Sequence, residues 1–282
     1  MQTQDVRPSP IAGTWYEGNP KKLTEQVDKL LKQGAPSFLG GDAIAVIVPH
    51  AGHRYSGAVA AHAFAALSGQ APDIVAVISP FHNYAAHPLL TTAHKAYATP
   101  LGSIEVDEDA LNQLQANLNI PIAAIKNDRE HSLEIELPFL QRVFQNGFKL
   151  LPIMVRDQEE IVAKKLGEAL AKTLTGKNAI LTASTDLSHF YDQETANKFD
   201  REMLHRFELF DPSSIFQAEH SGKGFACGHA AVAAVLWASK ALGADKVQIL
   251  NYATSGDVTG DYSSVVGYGA GVVLKTKKLS RS

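Results

Sequence analysis

The 282 residues carry 26 Lys and Arg against 29 Asp and Glu, a formal charge of −3, with 45% hydrophobic and 20% charged residues, eleven histidines and a single cysteine. A chain this long can bury a large core without a disulfide or structural metal, one cysteine excludes an internal disulfide framework, and the slight acidity argues against a nucleic-acid binder. No apolar run approaches the ~20 residues that span a bilayer, and the start Met1-Gln2-Thr3-Gln4-Asp5 lacks the basic and apolar regions of a signal peptide, so a cytoplasmic globular protein with no membrane contact is expected.

The elements follow from periodicity. Leu23, Val27, Leu30 and Leu31 form one face of a helix over 20–32. The short continuous apolar run 43–48 reads as a strand buried on both faces, the Ala-rich 56–67 as a helix and 74–78 as a second buried strand. Residues 107–117 are helical with Asp107 as N-cap, and 132–144 are helical with Ser132 as N-cap and a kink at Pro138. Strands at 149–155 and 179–184 flank a helix at 159–174. Helices at 195–210 and 229–242 follow, then strands at 247–252 and 263–275. The glycines of Gly267-Tyr268-Gly269-Ala270-Gly271 lie in a strand pattern and suit close strand packing better than phosphate binding. The basic end, Lys275, Lys277, Lys278 and Arg281, reads as a solvated terminus. The order β-α-β, repeated with insertions, predicts one α/β domain over 1–282, with a mainly parallel or mixed sheet covered by helices on both faces and late antiparallel strands.

Ligands in open α/β sheets bind at the carboxyl ends of the strands. His50 follows the first central strand, His82 the second, and Asp186 and His189 follow the strand at 179–184. Three strands thus end in histidine, and a parallel sheet gathers such ends along one edge. Cys227 precedes the helix at 229, where the macrodipole favours a thiolate, and its flanking glycines suggest close backbone approach. His131 lies in Arg129-Glu130-His131-Ser132-Leu133-Glu134-Ile135-Glu136, from whose loop it could enter the site. The three glutamates there belong either to the site or to a solvated helix end. His62, His87, His94, His205 and His220 read as ordinary residues, while His53 and His229 stay open between ligand, pocket and structural roles. Two histidines with one anionic ligand are the donor count of a non-haem Fe(II) site, and sulfur in the set also suits Cu(I) and Zn. A second-sphere histidine, His189 or His131, would move protons. A metal-free Cys-His-Asp hydrolase built on Cys227 is the competing chemistry, weakened by the absence of a Gly-x-Cys-x-Gly elbow.

Six ordered blocks, spread along nearly the whole chain, carry a family resemblance. They are Arg7-Pro8 with Ala12-Gly13-Thr14-Trp15-Tyr16, Pro49-His50-Ala51-Gly52 with Tyr55-Ser56-Gly57, Pro80-Phe81-His82, and Glu130-His131-Ser132-Leu133-Glu134 with Leu137-Pro138-Phe139. Ser184-Thr185-Asp186-Leu187-Ser188-His189-Phe190 and Ala226-Cys227-Gly228 complete them. The chain resembles the Memo family, the second component of the AmmeMemoRadiSam system. That resemblance implies a fold similar to LigB-type class III extradiol dioxygenases, with His50, His82 and Cys227 as metal ligands. It puts His131, Asp186 and His189 around the same pocket, His189 as acid/base. The implied cofactor is Fe(II) first, then copper, with zinc behind both, in a redox protein. The other implied role is a signalling adaptor or a module binding a peptide or another protein through the same pocket; reversible metal storage or delivery is a further reading. Implied partners are radical-SAM and AMMECR-type proteins and an unidentified small-molecule or peptide ligand. Phe81 stands where the family usually has Asn, and His53 where Tyr is common. The dioxygenases use a carboxylate at the Cys227 position, and an oxidisable thiolate beside iron and O₂ argues against catechol cleavage.

Overall fold

The short apolar runs become strands and the longer Ala-rich runs become helices, as their lengths require. The computed structural model describes residues 5–35 and 39–276. Its elements, in chain order, are β1 (Val6–Arg7), α1 (Pro20–Gly34), β2 (Gly41–Val48), α2 (His53–Ala65), β3 (Ile74–Pro80), β4 (Leu89–Thr92), β5 (Ala96–Thr99), β6 (Gly102–Glu105), α3 (Glu108–Asn117) and β7 (Ile122–Ile125). A 3-10 turn (Glu134–Glu136), α4 (Leu137–Val143), β8 (Lys149–Val155), α5 (Glu160–Leu174), β9 (Ala179–Ser184), β10 (His189–Tyr191), α6 (Gln193–Glu208), α7 (Pro212–His220), α8 (His229–Ala241), β11 (Lys246–Thr254), α9 (Gly256–Thr259) and β12 (Val265–Thr276) follow.

Nine strands form the main sheet. Its centre is parallel, with β2 beside β9, β9 beside β3 and β3 beside β8. On one side β12 runs antiparallel to β2, and β11 and the short β10 pair antiparallel with β12. On the other side β4 lies antiparallel to β8, and β7 is parallel to β4. A separate three-stranded sheet joins β1, β5 and β6.

Alternation along each central strand divides the interior into two cores. Ala45, Ile47, Ala76, Ile78, Leu181 and Ala183 face the layer that holds α5 and α8. Val46, Val48, Val75, Val77 and Ile180 face the layer of α1, α2 and α4. Strands buried on both faces in this way need the unbroken apolar runs seen in the sequence. The expected mixed α/β sheet with helices on both faces is the observed architecture. No helix among the described residues is long and apolar enough to cross a membrane.

Three local expectations change. The helix expected over 132–144 begins only at Leu137, after the 3-10 turn, so Pro138 sits in its first turn, where it breaks no hydrogen bond and makes no kink. Ser132 is not its N-cap: the Ser132 hydroxyl donates to the Pro80 carbonyl at 2.7 Å. Lys275 and Thr276 belong to β12, while Lys277, Lys278 and Arg281 lie outside the described residues. Asp107 caps α3 as expected, accepting from the Ala110 amide.

Candidate metal site at the strand ends

Because β2, β9 and β3 are adjacent and parallel, their carboxyl ends deliver His50, Asp186 and His82 to one edge of the sheet. Each side chain is then fixed by a different device. The His50 backbone N–H donates to Asp186 Oδ1 at 2.8 Å, and Ala51 N–H reaches the same oxygen at 3.3 Å. His50 Nδ1 lies 2.8 Å from the Ser184 hydroxyl, which leaves Nε2 directed 3.1 Å from Cys227 Sγ. Glu130 holds the next histidine: its Oε2 accepts the His82 backbone N–H at 2.7 Å, and its Oε1 lies 2.9 Å from His82 Nδ1. The same Oε1 accepts the His131 and Ser132 amides and stands 3.3 Å from His131 Nδ1. The rings of His82 and His131 stack at 4.9 Å, and the Trp15 ring packs against His131 at 4.3 Å.

The irregular segment carrying His131 is held from a distance. Arg7, buried on β1, donates to Asp128 at 2.7 Å, to Glu134 at 2.6 Å and to the Glu130 carbonyl at 2.8 Å. Its guanidinium also lies 4.9 Å from the centre of the Tyr97 ring. Glu130, Glu134 and Glu136 are each at most 1% exposed. The reading of these glutamates as a solvated helix end is therefore replaced: each has a buried polar partner.

Cys227 arrives from the far side of the sheet. Its N–H donates to the Asp186 carbonyl at 3.2 Å and the Asp186 N–H points to its sulfur at 3.3 Å, so the cysteine loop pairs with the chain leaving β9. Gly228 permits this approach, because a side chain there would run into the Ser184 carbonyl and the Thr185 side chain. The expected close backbone approach at these glycines is what the structure has. The expected dipole-stabilised thiolate is not. Desolvation and the nearby Asp186 carboxyl push the thiol well above its ordinary value, outweighing the Asp186 N–H and the Thr185 hydroxyl. Cys227 is a thiol unless a cation compensates its charge.

Desolvation shapes the other groups too. It drives His50 far below the ordinary imidazole range, helped by neighbouring His131 and His82, and takes His131 down to about 4. Burial lowers His189 as well, against the opposing hydrogen bond to the Leu187 carbonyl. The Asp186 carboxyl is pushed up to about 7 by burial, despite its backbone donors. Burial would raise Glu130, but the hydrogen bonds and charges of His82 and His131 prevail and hold it below the usual carboxylate range.

His50, His82 and His131 each offer a ligand atom, and these atoms lie within 4.8 Å of one another. Donors around a tetrahedral ion with bonds near 2.1 Å are about 3.4 Å apart, so modest closure brings the three imidazoles onto one cation. With Nδ1 held by Ser184 or Glu130, Nε2 is left as the atom available to a metal, the arrangement usual behind metal-bound histidines. The donor set fits a transition-metal ion. His131, expected in the second sphere, lies with the candidate ligands. His189 lies with Cys227 on a cleft of about 340 Å³ that Tyr191, Glu219, Phe225 and His229 also line, near enough to His50 and His82 to interact with them electrostatically. Its Nδ1 bonds the Leu187 carbonyl at 2.9 Å.

Two histidines left open by the sequence have structural partners. His53 points away from the cluster, donating from Nε2 to the Ile135 carbonyl at 3.0 Å and packing on Phe139. His229 places its nitrogens 2.9 Å from the Ala226 carbonyl and 3.1 Å from the Gln158 carbonyl, tying the start of α8 to the loop after β8. Residues whose site contacts the sequence did not reveal are Ser184 and Trp15. The one available signal was the spacing of Glu130, Glu134 and Glu136 around Leu133 and Ile135, a charged yet partly apolar pattern unsuited to a solvated face.

The fold and the site define an α/β protein with a histidine cluster on the carboxyl edge of its central parallel strands. The profile of the Memo-like protein family matches residues 7–272. A MEMO1 family protein of Nitrosopumilus maritimus is 35% identical over 273 residues, covering 94% of this chain and 98% of the relative. Another, from Methanococcoides burtonii, is 36% identical over 270 residues, with 95% and 100% covered. The chain belongs to the Memo family. Among solved structures, an uncharacterized protein, JW3007 from Escherichia coli K12, superposes with a TM-score of 0.51 at 13% identity, over 81% of this chain and 98% of that one, a likeness of fold alone.

Proposed function

We propose that this Memo-family protein is a cytoplasmic metal-dependent redox protein, with iron(II) the preferred ion and copper the alternative. His50, His82 and Cys227 hold the ion, and His131 is placed to join them. The observation that carries this reading is the convergence of three separate chain segments, at 50, 82 and 131, on one group of ligand atoms within 4.8 Å of one another, with the Cys227 sulfur outside that group but 3.1 Å from His50 Nε2. Imidazole with a single thiolate suits iron, copper and zinc by ligand softness. Resemblance to LigB-type dioxygenases supports a redox role over a purely structural one. Such an ion, when bound, supplies one-electron chemistry and an electrophilic centre.

The chain supplies the rest. Trp15 and the stacked imidazoles wall the cluster on the His131 side. His189, with Nδ1–H committed to the Leu187 carbonyl, offers Nε2 as a proton acceptor in the cleft that Cys227 also lines. Asp186 orients the His50 backbone and stands 3.9 Å from His50 Nε2, where its carboxyl can hold or release a proton. Partners of the radical-SAM and AMMECR type belong to this reading through the family resemblance.

The test is metal analysis of untagged protein. Wild type should contain iron or copper near one equivalent, and His50→Ala and Cys227→Ser should each lose most of it. Unchanged metal content in both variants would sink the assignment.

A second reading, a peptide- or protein-binding module, draws on the rim of the site. Trp15, Tyr55, Tyr84, Phe190 and Tyr191 are large apolar side chains left exposed beside the segments that bear the cluster and His189. Exposed aromatics of this kind favour an interaction surface. Partner binding that survives both metal removal and His189→Ala would decide for this module, whereas O₂ consumption that depends on both the metal and His189 would decide for the enzyme.

A further inference from the structure

Two of the candidate ligands are backed by glutamates in different ways. Behind His82 stands Glu130, in direct contact with the ring and held as an anion by it. Behind His50 stands Glu136, one hydroxyl removed. Ser184 Oγ lies 2.8 Å from each of three atoms: His50 Nδ1, Glu136 Oε1 and the Ser132 carbonyl oxygen. All four residues are at most 1% exposed, so these bonds lie out of contact with bulk solvent.

A serine hydroxyl has one hydrogen to donate and two lone pairs to fill. The Ser132 carbonyl can only accept. If the Ser184 hydrogen goes to that carbonyl, both remaining neighbours must donate: His50 through Nδ1–H and Glu136 through a carboxylic O–H. All three contacts are then satisfied. If Glu136 were ionised it would take the serine hydrogen, and the buried Ser132 carbonyl would lose this donor. The Glu136 carboxylate would also be buried with no Lys, Arg or His paired to it among the described residues. Leaving one buried acceptor unpaired costs about 1–3 kcal/mol, and a buried unpaired charge costs more. If instead the serine donated to His50, Nε2 would carry the proton and could not serve as a ligand atom.

We propose that Glu136 is a neutral carboxylic acid and a positioning residue, which together with Ser184 holds His50 as the Nδ1–H tautomer with its Nε2 lone pair directed at Cys227 and the candidate metal position. The value of that lone pair rests on the metal-site reading; the hydrogen-bond assignment does not. Burial, reinforced by nearby Asp186, places Glu136 well above the usual carboxylate range, in agreement with the donor count. The two glutamates thus divide the work. Glu130 contributes one negative charge beside the cluster, and Glu136 contributes a hydrogen bond without a second charge.

The experiment uses full-length, metal-free protein. Infrared difference spectra between wild type and Glu136→Gln at pH 8 should show the carbonyl band of a protonated carboxylic acid in wild type, lost in the variant. Long-range proton–nitrogen NMR of the labelled imidazoles, with His50 assigned by its loss in His50→Gln, should report Nδ1–H for His50 in wild type. Glu136→Gln, whose amide can still donate to Ser184, should keep that tautomer. Ser184→Ala, which removes the acceptor, should shift His50 toward Nε2–H or a mixture. A carboxylate band at Glu136, or His50 found as Nε2–H in wild type, overturns the proposal. Both readouts are taken without metal, so a failed metal assignment and a failed tautomer assignment give different results.

Discussion

At the scale of single residues, His53 separates a buried histidine from a working one. It lies three positions after His50 and is almost fully buried, yet its partners are the Ile135 carbonyl, Phe139 and Tyr16. Burial lowers it from 6.5 to about 4. Above pH 6.5 the ring is neutral in both folded and unfolded chains and costs nothing. As pH falls from 6.5 toward 4 the unfolded chain takes up a proton that the folded chain refuses, so stability is lost across that window. Between pH 7 and pH 5 this one group should remove about 2 kcal/mol. In His53→Gln, which can still donate to Ile135, urea unfolding at the two pH values should differ by about 2 kcal/mol less than in wild type. An equal pH dependence in the two proteins would show that His53 is not the source of this loss. Sequence spacing could not assign His53, because His50 and His53 share one loop and only the direction of α2 sends them to different sides. The strand-end rule pointed to His50, His82 and Asp186, which the adjacent parallel strands β2, β3 and β9 bring to one edge. The partners of the buried glutamates were illegible because they are remote in sequence: Arg7 meets Glu134 across 127 positions and Ser184 meets Glu136 across 48.

At the scale of elements, legibility follows length and polarity. The strands that sequence periodicity finds, β2, β3, β8, β9, β11 and β12, are six or more residues long and carry the apolar runs of the core. Those it misses, β1, β4, β5, β6, β7 and β10, have two to four residues, too few to show a period of two. β10 is the one that bears on the site. Its register against β12 shifts between His189 and Tyr191, and Phe190 between them has φ 66° with its ring exposed. A bulky residue held in that left-handed region stores about 1–3 kcal/mol, a cost tolerated where surrounding structure fixes the chain. The cysteine loop is set by a contact between elements. Gly228 packs against the end of β9 so closely that Gly228→Ala must push Cys227 away from Asp186 and His50. Overpacking of this kind costs typically 1–3 kcal/mol. Because Cys227 is the sole cysteine, thiol labelling reports on this loop alone. Gly228→Ala should label faster than wild type and unfold at lower denaturant, whereas unchanged labelling would mean that the loop does not depend on this approach.

For the whole molecule, the consequence lies in how the candidate ligands are distributed. His50 and His82 follow β2 and β3 of the parallel centre, His131 lies in the segment braced by Arg7 of the small sheet, and Cys227 comes from the layer of α7 and α8. No local piece of chain contains two of these groups, so the site exists only when both helical layers and the small sheet are assembled on the main sheet. An ion bound there has little affinity for the unfolded chain and stabilises the fold by mass action, about 2.7 kcal/mol at a free concentration one hundred times Kd. At roughly 2–4 °C per kcal/mol for chains approaching this size, the unfolding midpoint should rise by roughly 5–10 °C. Metal-free protein given iron(II) without oxygen should show this rise, and a chelator should reverse it. His82→Ala lacks one donor but keeps the sheet, since the His82 side chain is only partly buried and leaves the core of β3 intact. Its midpoint without metal should stay close to wild type, and the rise on adding iron should largely vanish. An equal rise in His82→Ala would place the stabilising ion elsewhere on the molecule, and the strand-end cluster would then owe its burial to packing alone.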